Sequence, residues 1–132
     1  MDIDIMSEID LRREPRFKTN FSCSVDTPDQ HSEAVITNLS MSGLQLECDH
    51  GLMQALMPNI KRPSPHQPIS LAVHFEVPTS YKDKDAIDLH CKIIYSRRLA
   101  QDKFVIGCMF SEFEHQCETV LEDYLQHFGE RI

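Results

Sequence analysis

From Phe17 onward the chain alternates apolar and polar residues. Phe17, Thr19, Phe21, Cys23 and Val25 recur at every second position, the period of a strand with one buried face. Thr27-Pro28-Asp29 reads as a turn, and Ala34 to Thr37 as a second strand that ends at NLSMSG (38–43). Leu44, Leu46 and Cys48 alternate as a third, and the three suggest an antiparallel meander. Residues 51–57 have room for one short helical turn. Residues 58–68 hold four prolines (Pro58, Pro63, Pro65, Pro68) and read as a loop. Ile69, Leu71, Val73, Phe75 and Val77 give a fourth strand, and 78–84 a polar connection. Ile87, Leu89, Cys91, Ile93 and Tyr95 give a fifth that extends towards Arg97. The chain turns at 99–102, and Phe104, Ile106, Cys108 and Phe110 give a sixth.

The last segment changes period. Phe113, Cys117, Val120, Leu121, Tyr124, Leu125 and Phe128 fall on one helical stripe. Ser111 and Glu114 have the spacing of a capping box, and Gly129 stands where a helix would stop, so a helix is expected over 111–128. So wide a stripe needs cover, which the sheet supplies. The predicted fold is mainly β: a six-stranded antiparallel barrel over 17–110 with the C-terminal helix packed against it. Closure is expected because an open sheet would leave two edges unpaired.

Length and composition add limits. The 132 residues fit one domain, and a net charge of −8 argues against a general nucleic-acid binder. No apolar run approaches the roughly 18 residues of a membrane helix, and the acidic start MDIDIMSEID is unlike a secretory signal; a cytoplasmic protein is expected. Five cysteines, an odd number without a CxxC pair, read as reduced buried thiols. Seven scattered histidines show no metal spacing, and no nucleophile elbow or P-loop is present, so neither a cofactor nor catalysis is expected. His74 and His90 alternate with the apolar positions of their strands and should be exposed.

Charge is nevertheless concentrated in one place. Arg12, Arg13, Arg16 and Lys18 against Glu14 give residues 12–18 a local +3, so the rest of the chain carries −11. Such a segment suits an anion, or it pairs with the acidic residues 1–10, expected to form a flexible tail. Two short motifs then stand out: Arg12-x-x-x-Arg16 before the first strand, and Asn38-x-Ser40-x-x-Gly43 between the second and third. Each alone is weak, and the second also describes an ordinary tight turn in which glycine supplies a positive φ.

In this order, flanking antiparallel strands, the two motifs resemble the signature of the PilZ domain family, RxxxR followed by (D/N)xSxxG. The segment Ile106 to Phe110 also looks like that family's closing strand, with a glycine shortly before an aromatic. The resemblance implies a bacterial receptor for cyclic di-GMP, with the arginine loop at 11–16 and the domain running to the C-terminus. By motif it assigns the ligand to Arg12, Arg16, Asn38, Ser40 and Gly43, with Arg13 inside the same cluster. Arginine suits both parts of such a ligand, because its planar fork pairs with phosphate oxygens and with guanine O6 and N7. Asn38 and Ser40 would offer hydrogen bonds from the barrel surface, and Gly43 would let the ligand approach the backbone. Leu11 holds the position that, in the family, bears on whether one ligand or a stacked pair is bound; an aliphatic residue there looks like the single-ligand case. Tyr95, Arg97 and Arg98 are possible additions at the end of the fifth strand; the simpler expectation is that Tyr95 lies in the core and the arginines in solvent. The implied output is regulation of an unidentified effector protein in motility, biofilm or polysaccharide formation. The alternatives are a PilZ-like protein-interaction module that binds no nucleotide, and an unrelated small barrel for oligonucleotides.

Overall fold

A computed structural model describes residues 14–28, 30–61, 69–79 and 83–132, the side chains of 57–61 excepted. Leu11, Arg12, Arg13 and the expected acidic tail lie outside the described residues. Seven strands and two helices follow one another: β1 (Phe17–Asp26), β2 (His31–Leu39), β3 (Gly43–Cys48), α1 (His50–Lys61), β4 (Ser70–Pro78), β5 (Lys84–Ala100), β6 (Lys103–Phe113), α2 (Cys117–His127) and β7 (Glu130–Arg131). Neighbours run in the order β2-β3-β6-β5-β4-β1, and β1 also pairs with β2, so six antiparallel strands close into the expected barrel. The short β7 adds to β1, with Phe17 opposite Arg131 and Lys18 opposite Glu130.

Alternation explains the interior. Val25, Ile36, Leu46, Val73, Ile87, Leu89 and Ile106 point inward and are fully buried. All five cysteines are free and buried, and burial pushes Cys23 up to about 12 and Cys48 up to about 11. Burial in an apolar setting thus favours the protonated thiol at Cys23 and Cys48. Cys117, Leu121, Tyr124 and Leu125 of α2 are buried against the barrel, where the Tyr124 and Phe21 rings meet edge-on at 5.5 Å.

Three local expectations are corrected. First, α1 is longer than one turn, because Asp49 Oδ1 accepts from Leu52 N at 3.1 Å as an N-cap. Leu52, Met53 and Leu56 then join the core, and the helix continues through Pro58 to Lys61. Second, β6 does not end at Phe110 and Ser111 does not cap a helix. Ser111 Oγ donates to His90 O at 3.1 Å, and β6 continues along the long β5 with Phe113 opposite Leu89. The ladder outcompetes the cap, and α2 begins only after a left-handed residue, His115 (φ 52°). Third, no described glycine has a positive φ. Gly43 and Gly107 are required by close approach, and both lie at the site described next.

Candidate functional site

The turn between β2 and β3 is built around one hydroxyl. Ser40 Oγ accepts from Ser42 N at 3.3 Å and from Gly43 N at 3.2 Å, while Ser40 N donates to Gly43 O at 2.9 Å. Only 3% of Ser40 is exposed. It is therefore enclosed by the turn it stabilises, where a surface-facing hydroxyl was expected. A Cβ on Gly43 would lie 2.3 Å from the backbone oxygen of Cys108, so the absence of a side chain lets the turn pack directly on β6.

Beside this turn the outer faces of β2, β3, β6 and β5 form one platform. A bulge between Ile36 and Asn38 keeps both Ile36 and Leu39 in the core and gives Asn38 partial exposure. Asn38 Nδ2 donates to Gln45 Oε1 at 2.6 Å, and Gln45 Nε2 donates to Tyr95 OH at 3.3 Å. The connection crosses Gly107, which pairs with Gln45 on one side and Tyr95 on the other. A Cβ on Gly107 would sit 2.0 Å from Tyr95 Cε1; the tyrosine ring occupies the space a side chain would take.

Tyr95 thus departs from the simpler expectation of a core residue. A second bulge, between Ile93 and Tyr95, shifts the pleat by one residue and carries Tyr95 to the outer face. Arg97 follows it opposite Val105. Arg98 is used elsewhere: it donates to Ala100 O and Gln101 O at 3.1 and 3.0 Å and lies 5.5 Å from the centre of the Phe104 ring, bracing the β5–β6 hairpin.

The arginine-bearing leader reaches the same place. Ser42 Oγ donates to Glu14 Oε2 at 2.6 Å, tying the leader to the turn. Two residues on, the carbonyl of Arg16 accepts from Ile132 N at 2.9 Å, next to the β1–β7 pairing. Gly129 packs so closely on Phe17 that a Cβ there would come within 2.5 Å of the ring. Leader, turn and C-terminus are therefore mechanically connected. Arg16, Asn38, Ser40, Gly43, Tyr95 and Arg97 all have described positions, with Ser40 inside the turn.

Two contributors were missed in the sequence. Gln45 stands two residues after Gly43 on the outward phase of β3, which was the available signal. The Ser42–Glu14 contact spans 28 residues and has no local signature. Among the described residues no group of histidine, cysteine and carboxylate side chains is placed to hold a metal ion, and no helix is long and apolar enough to cross a membrane.

A closed six-stranded barrel, with a polar platform beside a short serine-centred turn, defines a small antiparallel β-barrel class. The family model for the PilZ domain matches residues 10–127, and the chain belongs to the PilZ domain family. No curated protein matches it. Among solved structures it is similar to the Bacillus subtilis inhibitor of motility MotI/DgrA, at 16% identity and a TM-score of 0.64, covering 86% of this chain and 48% of that one. It is also similar to the Borreliella burgdorferi PlzA protein in complex with c-di-GMP, at 14% identity and a TM-score of 0.50, covering 98% and 58%. The PilZ domain of YcgR from Escherichia coli with c-di-GMP matches at 13% identity and a TM-score of 0.50, covering 87% and 88%. The chain thus spans about half the length of MotI/DgrA and PlzA. At these identities the likeness concerns the fold.

Proposed function

We propose that the chain is a cyclic di-GMP receptor domain whose ligand lies on the outer platform of β2, β3, β6 and β5, clamped by arginines of the leader. The observation that carries this reading is the Glu14–Ser42 contact at 2.6 Å. It ties Glu14, which lies inside the first motif, to the NLSMSG turn, and so supports a leader that works together with that turn. Arg16, Arg12 and Arg13 supply phosphate and guanine contacts, Asn38 meets a base edge, and Tyr95 offers a stacking surface beside Arg97. Ser40 and Gly43 act by shaping the turn. Leu11, aliphatic, accords with a single bound ligand. Charge-assisted hydrogen bonds contribute about 1.5–3 kcal/mol each. Three or four of them with base stacking, less an ordering cost of about 2–5 kcal/mol for the leader, give a Kd of about 1 μM.

Binding would change the output through the same connections. Ligand-held arginines stiffen residues 14–17, which touch the turn, β7 and Gly129. The surface offered to an effector protein changes with them. Regulation of motility, biofilm or polysaccharide formation is the output class this reading favours, and one structural neighbour is described as an inhibitor of motility. The rival reading, a protein-interaction module without nucleotide, draws on the carboxylate of Glu14 within the leader, which opposes an anion.

Calorimetric titration decides between them. Wild type should bind cyclic di-GMP with micromolar or tighter affinity, and Arg16→Ala at least tenfold more weakly, while GTP and cyclic AMP produce little heat. No heat with wild type at high protein concentration would select the interaction module.

A further inference from the structure

The two ends of the barrel carry opposite charge around exposed apolar surface. At one end a groove of about 460 Å3 runs between the leader, the β2–β3 turn and α2, lined by Glu14, Pro15, Phe17, Met41, Glu122 and Leu125. Its walls are largely apolar, and both charged side chains among these six are carboxylates. Neither Arg16 nor Arg131 lines it. α2 adds Glu118 and Asp123 and has no lysine or arginine. The apolar surface continues past the groove, because Phe128 and Ile132 are 43% and 73% exposed and Gly129, between them, packs on Phe17.

At the other end the β5–β6 hairpin extends beyond β4. The β4 ladder accompanies β5 as far as Lys92, whereas β6 accompanies it to Ala100. Residues 96–103 are all exposed. They hold Arg97, Arg98 and Lys103 against Asp102, a local +2 in a chain of −8. Leu99, 48% exposed, stands among them. The tip is held still: Arg98 donates to Ala100 O and Gln101 O, and Asp102 Oδ1 accepts from His50 N at 2.9 Å. A preordered tip loses little entropy on docking. An apolar residue among cations complements an apolar groove with an acidic lining.

We propose that this face is an interface between copies of the chain: the hairpin tip of one docks in the α2 groove of a second, with Leu99 on the apolar walls and Arg97 against Glu122. The two surfaces do not meet within one molecule. Gly43 pairs with Met109 at the turn end of the β3–β6 ladder and Cys48 with Phe104 at the hairpin end, and five residues of strand separate them by about 17 Å. Groove against groove is disfavoured, since it sets the carboxylates of one α2 against those of the other. Glu14 and Pro15 belong to the leader and Arg97 borders the platform, so a neighbouring copy draws on residues that adjoin the nucleotide face.

The test is sedimentation equilibrium of the full chain without nucleotide. A hairpin tip in one groove is a small interface, so association is weak and is followed up to about 1 mM protein. Wild type should gain weight-average mass with concentration. Leu99→Ser, Arg97→Glu and Glu122→Arg should each weaken association at least tenfold, with Tm little changed because all three residues are exposed. An equimolar mixture of Arg97→Glu and Glu122→Arg should associate like wild type, since each supplies the charge that the other has lost. Wild type that stays monomeric at every concentration overturns the inference. Association that survives both Leu99→Ser and Glu122→Arg places the contact elsewhere and also overturns it, as does a mixture that associates no better than either variant alone. With no nucleotide present, none of these outcomes bears on the receptor reading.

Discussion

The barrel carries polar side chains on two outer faces, and they are organised differently. At the β1–β2 hairpin and on β4 and β5, His31 pairs with Asp26 at 2.6 Å, His74 with Asp88 at 2.6 Å, and His90 with Glu114 at 3.3 Å. These are exposed local ion pairs of the kind that contributes little. On β2, β3, β6 and β5 the polar groups form a connected chain from Asn38 through Gln45 to Tyr95, laid over a glycine and adjoining the leader. Matching polar composition therefore does not mean matching function. What distinguishes the second face is that its hydrogen bonds connect with one another, that two close approaches exclude side chains, and that the Ser42–Glu14 bond ties it to the leader.

Substitutions on the two faces should have unequal effects. The largest effect is expected from Gly43→Ala, which drives a methyl to within 2.3 Å of the Cys108 carbonyl. The backbone must move, and urea denaturation should show a loss of about 2 kcal/mol. Ser42→Ala comes next. Loss of the bond to Glu14 frees the leader and should weaken cyclic di-GMP about fivefold by calorimetry, equivalent to about 1 kcal/mol. Glu14→Gln keeps an acceptor for Ser42 while removing a charge that opposes the ligand, so it should bind at least as tightly as wild type. On the histidine face, Asp88→Asn should alter stability by less than about 0.5 kcal/mol and leave ligand affinity unchanged. Affinity lost there would erase the distinction between the faces.

The smallest effect concerns pH. Hydrogen bonds from Asp26 and then Glu33 raise the His31 pKa above 6.5. The stabilisation from the protonated ring is complete below pH 6.5 and disappears as pH rises through the higher folded value. Urea midpoints of wild type should therefore decline slightly across that interval, and His31→Gln should flatten the decline.

The barrel was legible because alternation is physically enforced. A slip of one residue would turn Val25, Ile36 or Ile87 into water, so period two marks the core and every barrel strand followed. Bulges are where that logic fails. One extra residue after Ile93 moved Tyr95 from the core phase to the platform, and no local propensity announces it. The boundary near Ser111 failed for a related reason, since a sound capping box lost to pairing with a 17-residue partner strand that is apparent only in three dimensions. At the site, Arg16, Asn38, Ser40 and Gly43 were marked by their motifs, but the work done by Ser40 and Gly43 was not. Their reasons are a turn closed around one hydroxyl and a carbonyl on β6, a strand far away in sequence.

Chemical-shift mapping of the 15N-labelled protein during cyclic di-GMP titration shows which face the ligand occupies. The largest changes are expected at Arg16, Asn38, Gly43, Gln45, Tyr95 and Gly107, with Asp26, His74, Asp88 and His90 undisturbed. Changes centred on the histidine face, or none at saturating ligand, would contradict a ligand on the platform.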